Sequence, residues 1–325
     1  MLNNLSKIFD YSLFYATIRS STPILLAALA AVITQQADIL NVGVEGIMLA
    51  GAFTAVAVSY FTGSWLLAIF LAVIIGVIFA IVMGIAHIKF KADIFAIGMA
   101  VNMLVLALTR FFLNKILGAS GSFYSNKIVP IPKIVIGFLS DNKIINSMFN
   151  NYSLFEILGI ILVFFFWYIL YKTVWGLRLR SVGLFPMAAE TAGINSTKMK
   201  MQVMIYSGIL GGLAGAHLSL GYSNMFVENM TNNRGFVGVA AMFFGAANPI
   251  ITWVGCLIFG FADSLGSRLQ SYGLAPQFVL MLPYFVTILV LSISMIRKVG
   301  QERKMKSSID HFNTQRTGKE VTEHE

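Results

Sequence analysis

Long apolar runs, each closed by a short polar or basic stretch, organise the chain from end to end. Runs of about 20 apolar residues match the roughly 30 Å hydrocarbon thickness of a bilayer at 1.5 Å rise per residue. The pattern predicts spans over 65–86, 94–112, 154–171, 203–222, 250–265 and 278–296. Between 39 and 88 the only Asp, Glu, Lys, Arg or His residues are Glu45 and His87. The runs are continuous rather than alternating, which argues against the strands of a membrane β-barrel. A polar insertion over 114–152 carries Pro130, Pro132 and several Asn and Ser. Two apolar segments are short and interrupted by glycine: GVEGIMLAGA (43–52) and GFVGVAAMFFGA (235–246). They are loosely alike, both follow polar residues, and together they form a candidate internal repeat. A helix over 235–248 would reach only about 21 Å. The fold class read from this pattern is all-α, a polytopic helical membrane protein with about eight or nine spans, some of them broken or short.

The bases set the orientation. Lys89 and Lys91 mark one loop, Lys172, Arg178, Arg180, Lys198 and Lys200 a second, and Arg297, Lys298, Arg303, Lys304 and Lys306 open the tail. All three groups fall on one side if 235–248 crosses the bilayer or nearly does, and an excess of Lys and Arg marks that side as cytoplasmic. The insertion is then external, despite Lys115, Lys127, Lys133 and Lys143, because longer external loops translocate regardless of charge. Lys7 and Arg19 favour an internal N-terminus, which predicts an incomplete or broken element before TQQAD. Residues 1–296 read as one transmembrane domain with a cytoplasmic loop at 173–200, and 297–325 as a disordered cytoplasmic tail.

Composition supports the membrane reading. Of 325 residues 57% are hydrophobic and 11% charged, whereas a soluble domain has about a quarter charged; the mean hydropathy is +0.79. The net charge of +9 reports orientation rather than nucleic-acid binding, since no aromatics interleave with the bases. Cys256 stands alone, so no disulfide framework is expected. The N-terminus shows no clear cleavage site and is read as retained. No P-loop is present to bind ATP. His87, His217, His311 and His324 lack metal-ligand spacing, and no nucleophile elbow or catalytic triad is evident. Neither a metal, a bound cofactor nor a catalytic residue is expected.

Polar groups inside apolar runs are the candidates for function, because ionisable groups in hydrocarbon cost at least ~2.5 kcal/mol and face a cavity or a partner. These are Asn41, Glu45, Asn102, His217 and Asp263. Glu45 reads either as a lining or gating group or as a structural pairing within a broken helix. The stretch GILGGLAGA stacks Gly208, Gly212 and Ala216 on one helix face, which suits close helix packing or a substrate-lining face. In the basic loop, GLFPMAAETAGI is helix-forming around 188–192 with a Gly at each end. It is either a surface helix held to anionic lipid or a short docking helix for a soluble partner.

The loop RSVGLFPMAAETAGI resembles the cytoplasmic loop of ATP-binding-cassette importer permeases that move sugars, branched-chain amino acids and nucleosides. Those loops tend to read R-A-V-G-x-N-P-x-A-A-x-x-A-G-I; here Leu184 and Phe185 stand where a polar residue and Asn are usual. ADILNVGVEGIMLAGAF (37–53) is similar to a motif most typical of the nucleoside branch, with Ala37-Asp38 in place of Ser-Gly. GFVGVAAMFFGAANP and FADSLGSRLQSYGLAPQFVLMLPYFVTILVL resemble two later segments of the family, and the likeness spans about 22–291.

The resemblance implies a coupling helix onto an ATPase subunit at Gly183, Pro186, Ala188, Ala189, Ala192, Gly193 and Ile194. It implies a second permease subunit, expected to be a different chain with a second copy of this one as the alternative, an extracellular substrate-binding lipoprotein and a small-molecule cargo, with ATP and Mg2+ used by the ATPase. A nucleoside is the expected cargo, with simple sugars and then branched-chain amino acids as alternatives. Asn41, Glu45, Asn102 and Asp263 are the candidate path or gate. An ion-coupled secondary transporter is the competing class; a channel is disfavoured because no selectivity-filter motif is visible.

Overall fold

A computed structural model of the chain describes residues 12–134, 152–271 and 292. Among them, seven helices are long and apolar enough to cross a bilayer. In chain order, α1 is Ser12–Gln35, α2 Val44–Thr62, α3 Trp65–Ile88 and α4 Ile94–Leu117. After the two-residue strands β1 (Ser122–Phe123), β2 (Lys133–Ile134) and β3 (Tyr152–Ser153) come α5 (Leu154–Lys172), α6 (Val174–Leu184) and α7 (Pro186–Thr191). Then α8 (Ser196–Ala216) runs on as a π-helical turn, His217–Ser223, followed by β4 (Phe226–Val227), α9 (Arg234–Phe244) and α10 (Pro249–Ser271). The span expected over 278–296 and the tail over 297–325 lie outside the described residues, Ser292 excepted.

The helices sort into an inner and an outer layer. In α1, 83% of the apolar window is buried, against 22% in α4. α2 and α8 join α1 inside, while α3, α4 and α5 expose large side chains such as Phe70, Met103 and Phe165. The centre is tight because α8 presents bare backbone on two sides. A Cβ at Gly212 would lie 2.6 Å from the Ala72 carbonyl oxygen of α3, and one at Gly211 would lie 2.7 Å from Ile47 Cγ2 of α2. Small-residue faces of this kind let helix backbones approach and gain dispersion contacts that lipid cannot replace. Along α8 the α3 partners descend from Met204 beside Gly84 to Gly212 beside Ala72, so the two helices are antiparallel. The Lys89–Lys91 turn and the start of α8 therefore share one end of the bundle, the end expected from its bases to be cytoplasmic.

The N-terminal expectation needs correction. α1 is one continuous 24-residue helix, not a broken element, and it runs inward. Its Gln36 end abuts Gly183 and donates to the Ala247 carbonyl, while Arg19 sits at the outer end beside Tyr222. The charge rule failed at Arg19 because this base is occupied within the fold. Its Nη2 donates to the carbonyls of Gly221 and Tyr222 at 3.1 and 2.6 Å. These carbonyls close the π-helical turn, and the last carbonyls of a helix have no intrahelical donor.

Helix ends also shift. α4 continues to Leu117 and stops at Gly118, whose φ of 62° terminates it, so the polar insertion opens there rather than at 114. α8 begins at Ser196, capped by the Asn195 side chain accepting from the Lys198 N–H at 2.8 Å. The insertion is tied to the outer ends of the helices: β1 pairs with β4, Ile131 N–H donates to the Leu220 carbonyl, and Glu228 N–H donates to the Gly121 carbonyl at 2.7 Å.

Candidate functional site

Two helix starts meet inside the bundle. The first belongs to α2. The chain leaves α1, turns at Asp38 with φ 58°, and passes Asn41 before entering α2. The first N–H groups of a helix have no intrahelical acceptor, and here α4 supplies one from across. Asn102 Oδ1 accepts from the Gly46 N–H at 2.7 Å, and its Nδ2 donates to the Val42 carbonyl at 3.1 Å. Asn41, fully buried, donates from Nδ2 to Ser207 Oγ of α8 at 2.8 Å, and its Oδ1 has no protein partner.

The second start belongs to α9. From β4 the chain descends through turns in which Asn229, Asn232 and Asn233 all have positive φ, a region Asn enters more readily than most residues. Irregular backbone at membrane depth is tolerated only where protein buries it or a water-filled cavity faces it. α9 then has 11 residues, or about 16 Å, so the crossing from β4 to 247 is half turn and half helix. Its first amides are held by Glu45: Oε1 accepts from Asn233 N–H at 2.9 Å and Oε2 from Gly235 N–H at 2.7 Å. A Cβ at Gly235 would lie 2.7 Å from both Cα and Oε2 of Glu45, so only glycine permits this approach. GVEG and GFVG, the two look-alike segments, thus open two helices that abut through one carboxylate.

Each helix start carries roughly half a positive charge, and Glu45, 7% exposed, opposes both at once. One residue before Gly235, Arg234 Nη2 donates to Asp263 Oδ2 of α10 at 3.1 Å, and Ser20 of α1 also donates to that oxygen. The junction therefore joins α1, α2, α4, α9 and α10. Of the sequence candidates, Asn41, Glu45 and Asn102 surround the α2 start, and Asp263 reaches the same place through Arg234. His217 lies elsewhere, stacked on Phe155 at 5.5 Å with Nε2 3.8 Å from Glu156. Gly208, Gly212 and Ala216 are buried in the helix packing described above. Arg234 and Ser207 escaped sequence reasoning. The base heading a short apolar segment was a usable signal for Arg234; Ser207 had none.

The basic loop over 173–200 folds into an elbow of α6 and α7. Gly183 lies against the backbone of Gln36 and Ala37, which leaves no room for a side chain. Pro186 opens α7, where a missing N–H costs nothing. Glu190 accepts from Ser196, Ile194 N–H donates to the Ala189 carbonyl, and Gly193 turns the chain at φ 81°. Leu184 is 85% exposed, Phe185 61% and Met187 73%, and Ala188 and Ala192 are exposed beside them. Ala189 is 4% exposed and packs within its own chain.

A family model described as branched-chain amino acid transport system / permease component matches residues 13–291. The guanosine ABC transporter permease protein NupQ of Bacillus subtilis is 37% identical over 289 residues, covering 85% of this chain and 90% of that protein. The nucleoside ABC transporter permease protein NupC of Lactococcus lactis is 33% identical over 309 residues, covering 90% and 93%. No solved structure matches the chain. With the match running from α1 past α10, through both helix starts and the elbow, the chain belongs to the branched-chain amino acid transport system permease family, as a multi-pass protein of the plasma membrane.

Proposed function

We propose that the chain is the permease subunit of an ATP-driven ABC importer that moves nucleosides. The two relatives described above, each matched over most of its length, are named for guanosine and for nucleosides, and the family implies an ATPase and a binding protein as partners. The observation that carries the mechanism is the elbow. An apolar tip, Leu184, Phe185 and Met187, projects at the cytoplasmic end, braced against the α1–α2 junction by Gly183. Such a tip fits a hydrophobic groove on a soluble subunit. Gln36, against which Gly183 rests, leads through Asp38 and Asn41 into α2. Movement of the elbow is thereby transmitted to the helix starts held by Glu45 and Asn102.

The partner ATPase binds and hydrolyses ATP with Mg2+; this chain moves helices and performs no covalent chemistry. A second, non-identical permease completes the path, and a lipoprotein delivers cargo from outside. Two states of the junction serve alternating access, because packed interfaces switch between discrete arrangements rather than deforming smoothly.

The test is uptake of labelled guanosine by vesicles holding the ATPase, both permeases and the receptor. Phe185→Asp and Ala188→Glu, both at exposed positions, should abolish ATP-dependent uptake and loosen the ATPase while the chain still inserts. Normal uptake by these variants refutes docking through the elbow. Competition by simple sugars or branched-chain amino acids, but not by nucleosides, overturns the cargo. Uptake driven by an ion gradient without the ATPase overturns the class.

A further inference from the structure

Two cavities meet at Trp175 near the cytoplasmic ends of α5 and α8. One, of about 480 Å³, opens between α6 and the start of α8 and carries Arg178 and Lys198 on its wall. The other, of about 380 Å³, lies between α5 and α8 and is walled by Phe165, Ile169 and Tyr206. Trp175 lines both. Its Nε1 donates to Gln202 Oε1 at 3.3 Å, and its ring meets Tyr206 edge-on at 5.8 Å.

The two compartments differ in chemistry. Neither lining contains an acid. Arg178 and Lys198 are exposed, and among the described residues neither side chain makes a hydrogen bond or ion pair. The second cavity is apolar and sits beside the last turns of α5, within the apolar part of the chain that is long enough to span a bilayer. Tyr and Trp at the seam are the residue types that favour the headgroup boundary. A basic compartment and an apolar one that share Trp175 as a wall have together the form of an amphiphile with an anionic head.

We propose that this composite groove binds one anionic phospholipid of the cytoplasmic leaflet, its phosphate between Arg178 and Lys198 and an acyl chain along Phe165, Ile169 and Tyr206. The lipid would join α5 and α8 directly beneath the elbow. This site is separate from the cargo path, and its test does not depend on which cargo is carried.

The experiment is native mass spectrometry of the assembled transporter, titrated in mild detergent with phosphatidylglycerol or phosphatidylcholine. The wild type should retain phosphatidylglycerol in preference. Arg178→Ala combined with Lys198→Ala should need roughly 30-fold more phosphatidylglycerol for the same occupancy, from two bases each attracted to anionic lipid. Phe165→Ala, at an exposed position, should weaken retention without altering the headgroup preference. Lys89→Ala with Lys91→Ala, on the same side of the membrane, is the control and should match the wild type. Soluble glycerol phosphate should not displace the lipid; if it does, the site is an anion site and not a lipid groove. Equal retention of both lipids by the wild type, or unchanged retention by the Arg178/Lys198 variant, overturns the proposal. So does loss of the ATPase from that variant with its lipid intact, since the bases would then serve a protein partner.

Discussion

Replacing Glu45 by Gln tests whether a single carboxylate holds the two helix starts together. In the wild type both oxygens are engaged, at 2.9 Å with Asn233 N–H and 2.7 Å with Gly235 N–H. Gln keeps one carbonyl oxygen and turns its amide N–H2 toward the other donor. One charge-assisted bond becomes a neutral one, and one buried N–H is left unpaired at about 1–3 kcal/mol. Loss of the charge facing two helix N-termini removes up to ~2 kcal/mol more. Because these effects share one group and do not simply add, the expected cost is about 2–4 kcal/mol. The assay is thermal unfolding of the purified assembly alongside ATP-driven uptake in vesicles. Both should fall in Glu45→Gln, and Glu45→Asp should behave similarly, since its carboxylate is drawn back by one methylene. A lining role gives a different pattern, with stability unchanged and Asp largely restoring uptake. That result, or a Gln variant indistinguishable from wild type, would refute the clamp.

Three further outcomes follow from the geometry. Gly212→Leu places a side chain where even a Cβ lies 2.6 Å from the Ala72 carbonyl oxygen; overpacking of this kind costs at least about 1–3 kcal/mol, and the yield of monodisperse protein should collapse, whereas Gly63→Ala, in open space but at φ 66°, should cost only about 1 kcal/mol. Removing Arg234 alone leaves Asp263 without its 3.1 Å cation but with the Ser20 hydroxyl and should cost about 1–2 kcal/mol, with Arg234→Ala plus Asp263→Ala recovering part of it in a double-mutant cycle of unfolding midpoints. Asp38 holds φ 58°, so Asp38→Gly should be neutral or stabilising by up to ~1 kcal/mol, while Asp38→Val should destabilise by roughly 1–2 kcal/mol; equal stability of the two variants would contradict a strained turn.

Hydropathy located the spans well because a transmembrane helix satisfies its backbone internally, so its existence is a local property. Its ends are less local. α8 starts at Ser196 because Asn195 caps it, although the polar TKMKMQ stretch reads as loop. Arg19 misled the topology because a base spent on the Tyr222 carbonyl is indistinguishable in sequence from one in a cytoplasmic loop. In the elbow, the resemblance marked Ala188 and Ala189 alike. Only the turn of α7 against α6 and α8 exposes the first and buries the second.

What the residues determined unaided was the all-α membrane architecture and the suspicion attached to a lone acid in an apolar run. Each of these depends on transfer energies or on hydrogen bonds within a few residues of the chain. What tertiary structure decided was the partner of that acid. Glu45 and Gly235 are 190 residues apart, and Asn102 reaches α2 from another helix. An unfilled helix start can be satisfied by any donor-matched group brought close, and which group arrives is set by how Gly-faced helices settle against one another. For that reason the junction became visible only when the helices were assembled.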